Sequence, residues 1–586
     1  MKIISFSVNN FRSINGGLKP NTIKFEDSNT IFIFGQNNVG KSTFLRAYEF
    51  FVKDTKPNLS DFFNQDYKNK IEFEIIIKIE EKDSTEAKTS PISNLPSFLD
   101  KKNENNLIWV RKVHKKGGEQ GIYQTHSKNF DKDEWEDGQS IGIGTIFGSI
   151  LPKPIFIKAM PSEEDVKKTI NEILKIKAEK NLKSEEQEEL KSAQLTIKNL
   201  QNKMYGLKSI KKYEDDVNKE FEKLFPDISF EIKDTDKLKM THDKVGLEFD
   251  ISCKNKKNQF ESTNIPESLT SHGHGTVRTA IFMFLMLQDS INSENEKDII
   301  ILFEEPELFL HPKLTRQLRS LMYNISKDAT PYQVLCASHS PQMIDISKDH
   351  TSIVRMVKDQ TDKTQLYQVD KTNLHFEKDG TQLDKAQTFA QFKEFLRFNP
   401  FICEAFYADE VVLVEGDTEA IIWRGYLQEF GDNGKDIFVV NCGGPTNMPF
   451  YQKIFSKFNI RYSVICDTDH IQIDSKTKEI KSDNINSWDK NCENPKFKSH
   501  IQRSIQIQFE SDQSEGKAEH FFVFDETFEP VHKILKQPFT FDSTGNEGKP
   551  YNANRYWEDV LLPNKGHLDF NNVPIIKYIR NILEIK

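Results

Sequence analysis

The first fifty residues alternate apolar and polar positions in an order that predicts strand, turn, strand, Gly-rich loop and helix. Thr30–Phe34 is a continuous β-branched and aromatic run, the pattern of a strand buried on both faces. Beyond Lys41, the residues Phe44, Leu45, Tyr48 and Phe51 recur three and four apart, so one helical face is apolar. Residues 71–79 and 155–157 predict further strands, and the polar stretch 81–106 between them predicts a loop.

From Ser162 to Leu224 aromatics become scarce and Lys and Glu dense. Ser162 and Ser184 read as helix caps, the second with Gln187 at capping-box spacing. Leu190, Ala193, Ile197, Leu200, Met204 and Leu207 alternate three and four apart, a heptad seam. The segment therefore predicts a short helical hairpin packed on itself or on a partner chain, with a single surface helix as the alternative.

Residues 228–260 return to strand-like sequence, and 277–290 predict an apolar helix. Buried strands are expected at 299–303 and 333–337, with a helix near 312–326 between them, the alternation of an α/β sheet. A Lys/Asp-rich stretch at 357–385 breaks the apolar periodicity and predicts a boundary. A second α/β unit is expected from Glu410–Val414, 437–440 and 462–466, followed by polar sequence over 471–500. These transitions divide the chain into 1–161, 162–225, 226–356, a connector at 357–408, and 409–586.

At 586 residues the chain exceeds a single hydrophobic core, and length suggests about three or four structural units. With 37% hydrophobic and 29% charged residues, it reads as an ordinary folded protein. Eighty Lys and Arg against 89 Asp and Glu give a net charge of -9, so any nucleic-acid contact must use local patches. The opening MKIISFSVNNF lacks an apolar targeting core, and the chain has no apolar run of membrane-spanning length, which predicts a cytoplasmic protein with no membrane partner. Cys253, Cys336, Cys403, Cys442, Cys466 and Cys492 are scattered without a CxxC pair, which argues against structural zinc and for reduced, buried thiols.

The sharpest chemical signal is Gly35-Gln36-Asn37-Asn38-Val39-Gly40-Lys41-Ser42, which satisfies GxxxxGK[ST] between a buried strand and a helix. Its glycines let backbone N–H groups wrap phosphates; Asn37, Asn38, Gly40 and Thr43 belong to the same loop and helix start. Lys41 is placed for the β/γ oxygens of ATP and Ser42 for Mg²⁺. The run at 299–303 ends in Glu304-Glu305; the first carboxylate is suited to Mg²⁺ and the second to orienting or deprotonating water. His339, just past the strand at 333–337, is a candidate γ-phosphate sensor.

Asn10-Phe11-Arg12-Ser13, the phosphate loop, Glu304-Glu305-Pro306-Glu307 with Leu310-His311-Pro312, and Ser338-His339-Ser340-Pro341 together resemble the ABC/SMC-type ATPases that act on nucleic acids. That resemblance implies two apposed ATPase heads, hence a homodimer or higher homo-oligomer, with Arg12 near the nucleotide. It also implies a signature loop, resembled here by Ser271-His272-Gly273-His274-Gly275, whose Ser271, Gly273 and Gly275 would meet a γ-phosphate across the dimer. The loop departs from LSGGQ by lacking a Gln after the glycines. Arg278, one turn on, is read either as a contributor there or as a structural salt bridge.

A second acidic constellation lies downstream. Residues 411–414 end in Glu415-Gly416, with Glu419 four residues later, and 464–466 end in Asp467-Thr468-Asp469. Carboxylates at the ends of parallel strands collect at one sheet edge, and an all-oxygen set suits Mg²⁺ or Mn²⁺. Glu415-Gly416 and Asp467-x-Asp469, with Asn441-Cys442-Gly443-Gly444 between, resemble the Toprim domain. An ABC-type ATPase head with a short coiled-coil-like helical insertion, followed by a Toprim α/β domain, resembles the OLD (overcoming lysogenization defect) family of nucleases. That resemblance implies a later acid and a lysine: Glu529, with Asp525 as second choice, and Lys549, with Lys565 behind it.

The expected function is an ATP-regulated, divalent-metal-dependent endonuclease cutting or nicking DNA in anti-phage defence. Glu415 would ligate or act as base, Asp467 and Asp469 would hold metal, and Lys549 would offset charge on phosphorus. The alternatives are an ATPase sensor controlling a partner, and a nuclease directed at RNA, including tRNA. An operon-encoded partner such as a helicase or a retron RNA–DNA belongs to the same family-based expectation.

Overall fold

The computed structural model describes residues 2–25, 28–53, 55–78, 100, 107–117, 120–137, 151–162, 164–169, 212, 214–219, 228–234, 239–241, 244–246, 249–255, 267–268, 273–286, 299–325, 332–346, 350–369, 400–467, 500–524, 528, 532 and 548–585. The chain divides into two compact units, Met1–Asp370 and Lys371–Lys586. The heptad seam at 190–207 and the cap at Ser184 lie outside the described residues. Ser162 does cap a helical segment at 164–169: its hydroxyl accepts from the Asp165 N–H, and the Asp165 carboxylate accepts from the Ser162 N–H.

The first unit opens with β1 (Lys2–Asn9), β2 (Thr22–Lys24), β3 (Thr30–Phe34), α1 (Lys41–Val52) and β4 (Ile71–Lys78). It continues with β5 (Leu107–Gly117), β6 (Gln120–Asn129), β7 (Glu134–Asp137) and β8 (Lys153–Ile157). A small group follows: β9 (Ile228–Asp234), β10 (Lys239–Thr241), β11 (Lys244–Gly246), β12 (Phe249–Asn255) and β13 (Glu267–Ser268). Then come α2 (His274–Met286), β14 (Ile299–Glu304), α3 (Pro312–Ile325), β15 (Tyr332–Ala337), β16 (Ile353–Lys358) and β17 (Thr364–Gln368).

Two six-stranded sheets carry this unit: an antiparallel one ordered β2-β1-β4-β5-β6-β7, and a mixed one ordered β17-β16-β3-β15-β14-β8. In the second, β16, β3, β15, β14 and β8 are parallel, so their carboxyl ends share one edge. Helix α1 contributes to the core that joins the two sheets. Phe44, Leu45, Tyr48 and Phe51 are all fully buried, in one cluster with Phe6 and Phe73 of the antiparallel sheet and Ile31, Ile33 and Leu302 of the mixed one. Phe6 meets Phe44, Tyr48 and Phe51 edge-on, the arrangement that ring quadrupoles favour. A second tie is polar. The Gln333 side chain accepts from the Ile3 N–H and donates to the Ile3 carbonyl, both at 2.8 Å, which joins β15 to β1.

The Lys/Asp-rich stretch read as a boundary begins inside this unit. β16 and β17 form an antiparallel hairpin at the sheet's edge, and the unit runs to Asp370, past the division expected at 356. The polarity has a simple cause: β17 is an edge strand, half-exposed over four of its five residues, and does not need an apolar face on both sides.

The second unit holds β18 (Glu410–Val414), α4 (Asp417–Phe430), β19 (Ile437–Asn441), α5 (Met448–Lys457), β20 (Tyr462–Asp467), α6 (His500–Ser514) and β21 (Ala518–Phe524). It ends with α7 (Gly548–Arg555), α8 (Leu568–Asn571) and α9 (Pro574–Ile582). Its sheet is wholly parallel, ordered β19-β18-β20-β21, with helices returning the chain each time. The C-terminal helices pack on this sheet: Ile575, Ile576, Ile579 and Ile582 of α9 are fully buried with Val412, Val414 and Ile465.

Candidate functional site

The phosphate loop leaves β3 and turns into α1. Gly35 lies under the Met356 carbonyl of β16 so closely that any Cβ would collide with that oxygen. Gly40, the N-cap of α1, has φ near 110°, a conformation that L side chains rarely adopt. Lys41 is 4% exposed and its ammonium donates to the Gly35 and Gln36 carbonyls, both at 2.7 Å. Burial pulls its pKa down to about 8, against the opposing pull of Glu305 and Glu307. Ser42 is exposed at the start of α1, and Thr43 receives a hydrogen bond from Ser13.

β14 and β15 deliver the remaining groups to the same edge. Glu304 is 6% exposed; one oxygen lies 3.5 Å from the Arg46 guanidinium, and the other accepts from the Ala159 N–H. Glu305 adopts φ near 43° and sits 3.5 Å from the imidazole of His339. Burial and the neighbouring Lys41 push the His339 pKa down, while Glu305 opposes them, so the ring favours its neutral form. The structure thus brings Lys41, Glu304, Glu305 and His339 to one sheet edge. A buried carboxylate beside a hydroxyl-bearing helix start is a hard-oxygen set that fits Mg²⁺, and the cation already paired with Glu304 demonstrates that the position tolerates positive charge.

Three residues of this edge have partners that the sequence did not reveal. Glu307 accepts from the Ser338 hydroxyl at 2.8 Å and the His339 N–H at 3.1 Å, so it ties the β14 exit to the β15 exit. Burial raises its pKa. Arg46 supplies the counter-charge to Glu304 and lies over the Phe156 ring. Arg278, open in sequence between two roles, is structural: 1% exposed, it donates to the backbone carbonyls of Glu304, Glu305 and Leu308. It anchors α2 to the strand end that carries both acids. Gly275 completes the fit, since a Cβ there would press on the Phe309 carbonyl at 2.7 Å. We expect Arg278→Met to cost roughly 2–4 kcal/mol of stability and so to lower the melting midpoint, because three carbonyls lose a buried donor. Arg278→Lys should recover little of it, as one ammonium lacks the fork that spans them. Thermal unfolding followed by circular dichroism measures both.

Arg12, which the family resemblance places near the nucleotide, is paired in this structure. Its guanidinium is committed to Asp61, by hydrogen bond and ion pair at 3.0 Å each, and rests over Phe11. That pair, with the Arg12 N–H donating to the Asp61 carbonyl, fixes the loop after β1. Gly273 is exposed ahead of α2, and Ser271 lies outside the described residues.

In the second unit, β18 ends at Val414 and the chain turns through Glu415 and Gly416 into α4. Asn441 and Cys442 at the end of β19 lace this turn in place. The Cys442 N–H donates to the Val414 carbonyl, Gly444 donates to the Glu415 carbonyl at 2.8 Å, and the Asn441 amide donates to Asp417 at 2.6 Å. From the other side, Glu415 Oε2 accepts the Asp467 N–H at 3.0 Å, so β18 and β20 present their acids together. Glu419, in the first turn of α4 and 4% exposed, accepts from the Gly416 N–H and so caps the helix start. Burial chiefly, and then the charges of Glu415 and Glu419, push the Cys442 thiol up.

Glu415, Glu419 and Asp467 are all-oxygen donors, a chemistry that fits a hard divalent cation. Among the described residues, no three His, Cys, Asp or Glu converge as a ready metal cluster. Asp469, Glu529 and Asp525 lie outside those residues; Lys549 falls in the first turn of α7, and its side chain is likewise outside them. Lys565 pairs with Glu429 at 2.5 Å. Cys336, Cys403, Cys442 and Cys466 are buried thiols, as the cysteine pattern predicts. No described helix is long and apolar enough to cross a membrane.

Fold and geometry together define an enzyme class: a P-loop ATPase unit followed by a parallel α/β unit with acids at its carboxyl edge. Comparison with known families agrees. Residues 1–344 match the AAA ATPase domain family, and residues 406–469 match the "Overcoming lysogenization defect protein-like, TOPRIM domain". The chain belongs to the AAA ATPase domain family and carries an OLD-like Toprim domain behind it. It is 24% identical over 492 residues to the Old nuclease of Escherichia phage P2, covering 80% of this chain and 78% of that one. It is 22% identical over 693 residues to the endonuclease GajA of Bacillus cereus (strain HuB5-5), covering 100% of this chain and 97% of the relative. Among solved structures, an Smc head bound to the C-winged helix domain of ScpA matches 63% of this chain at 14% identity and a TM-score of 0.40.

Proposed function

We propose that this chain is an ATP-regulated, divalent-metal-dependent endonuclease that cuts or nicks DNA, serving in anti-phage defence. The observation that carries the reading is the meeting of Glu415 and Asp467 across two adjacent parallel strands, with the carboxylate of one on the backbone of the other. Glu415, Asp467 and Glu419, joined by Asp469, would hold Mg²⁺ or Mn²⁺. A bound ion of this kind lowers the pKa of water and stabilises charge on phosphorus. The chain's own part is to fix the carboxylates. Cys442 and Gly444 hold the β18 turn, Gly416 and Glu419 cap α4, and Asn441 restrains Asp417. Lys549 is the proposed cation that offsets charge on phosphorus. The relatives named as nucleases, which align across both units, support the same chemistry.

In the first unit Lys41 would hold β/γ oxygens, Ser42 and Glu304 a divalent cation, and Glu305 the attacking water, with His339 beside it. Paired heads, with Ser271, Gly273 and Gly275 facing a partner's nucleotide and 162–225 as a dimerisation element, belong to the same proposal.

The deciding assay incubates the purified chain with supercoiled plasmid and, separately, with structured RNA, in Mg²⁺ or Mn²⁺, with and without ATP. Nicked or linear plasmid that forms only with metal, and in amounts that change with ATP, is the expected result. Cleavage of RNA alone would replace DNA as the substrate. Intact DNA and RNA beside continuing ATP turnover would sink the nuclease reading.

A further inference from the structure

Arg46 has no place in the nucleotide chemistry just described, yet its guanidinium is the cation nearest one oxygen of the buried Glu304 carboxylate, at 3.5 Å. Four further observations bear on what it does there. It stands one helical turn beyond Ser42, so both residues lie on the same face of α1. Its side chain is 43% exposed while that of Glu304 is 8% exposed, so the partner is desolvated but the guanidinium has room to move into water. Phe156, at the end of β8, offers its ring as a seat 5.4 Å from the guanidinium carbon. The second Glu304 oxygen is already taken by the Ala159 N–H, which leaves the oxygen facing Arg46 as the one open to exchange.

A buried carboxylate without a counter-charge is costly, and a divalent ion and a guanidinium cannot share one oxygen without strong mutual repulsion. We propose, resting on the reading of Lys41, Ser42 and Glu304 as a Mg²⁺–ATP site, that Arg46 is an internal competitor for the divalent cation and sets how much Mg²⁺ the site requires. Arg46 satisfies Glu304 until the ion arrives with its nucleotide, then withdraws along Phe156 toward solvent. It is a positioning residue: it acts through Glu304 and touches neither phosphate nor water. The consequence is that nucleotide loading responds to the level of free divalent cation rather than saturating at trace amounts.

The test follows binding of a fluorescent ATP analogue across a Mg²⁺ titration by anisotropy, for wild type, R46Q, R46K and E304Q, alongside melting midpoints in EDTA and in Mg²⁺. R46Q removes the competing charge, so its Mg²⁺ midpoint should fall roughly fivefold. Affinity for the analogue at saturating Mg²⁺ should stay within about twofold of wild type, since no phosphate contact is lost. R46Q should also melt below wild type in EDTA and recover in Mg²⁺, whereas R46K should keep a midpoint close to wild type. A merely structural arginine would lower melting in both conditions and leave the titration in place. An unchanged or raised midpoint in R46Q, with the midpoint raised in E304Q, overturns the proposal and leaves the nucleotide site standing. Identical titrations in wild type, R46Q and E304Q would overturn both.

Discussion

Glu415→Gln abolishes metal-dependent cleavage while ATP turnover and folding persist: this is the expected result, and the hydrogen bond to Asp467 is why Gln is the informative substitution. Glu415 Oε2 accepts the Asp467 N–H at the junction of β18 and β20. A glutamine amide oxygen can take the same bond, so the strand ends keep their geometry and only the negative charge is lost. Loss of one charged group from a preorganised site costs on the order of 100- to 1,000-fold in rate. Glu415→Ala removes the acceptor as well, leaving the Asp467 N–H without it at a cost of about 1–3 kcal/mol. The two variants should therefore share a loss of cutting and differ in melting, with Ala lower. Plasmid nicking measures the first and thermal unfolding the second. Cleavage by Glu415→Gln near the wild-type rate would remove Glu415 from the chemistry.

What could be read from sequence divides along a physical line. The phosphate loop and the two acidic strand ends are local patterns: the strand that ends in Glu304 or Asp467 and the turn that follows Glu415 are written in consecutive residues. Their contexts also matched, with β3, β14, β18 and β20 where the apolar runs fall. The tertiary partners were not legible, because the groups that steady these acids come from distant segments. Arg278 reaches the Glu304 carbonyl from α2, Glu307 reaches Ser338 across two strand exits, and Arg46 meets Glu304 through the packing of α1 on the sheet. One signal was present and unused: Arg46 stands at helical spacing from Ser42 and so had to face the same edge. Among the strands that the sequence did not reveal, β17 and β21 were missed for opposite reasons. β17 is an edge strand whose flanking Lys and Asp residues imitate a linker, whereas β21, with its HFFVF core, carried a clear apolar run that was not taken as a strand. Arg12 has the same kind of hidden partner, since Asp61, which holds its side chain, lies 49 residues away.

Lys41→Ala should weaken nucleotide binding by roughly 100-fold, the equivalent of a charge-assisted contact of about 3 kcal/mol. The residue is unusually well prepared for that contact. It is buried, its ammonium is fixed by the Gly35 and Gln36 carbonyls, and burial holds its pKa at about 8. Removing it deletes the positive charge that Glu305 and Glu307 face, so these two acids then repel an incoming polyphosphate unopposed. The lowered pKa yields a second, sharper signature. Above about pH 8 Lys41 is mostly neutral in the free protein, and triphosphate oxygens favour its charged form, raising the pKa toward its ordinary value. Binding at pH 9 should consequently take up close to one proton, and binding at pH 7, where Lys41 is already charged, almost none from this group. Calorimetric titrations in two buffers of different ionisation enthalpy read this directly, and Lys41→Ala should erase the uptake at pH 9. If ATP gates the acidic site, plasmid cleavage by Lys41→Ala should become indifferent to ATP across the range that modulates the wild type. Cleavage that still follows the ATP titration in a variant that no longer binds nucleotide would refute that coupling while leaving the nuclease site untouched.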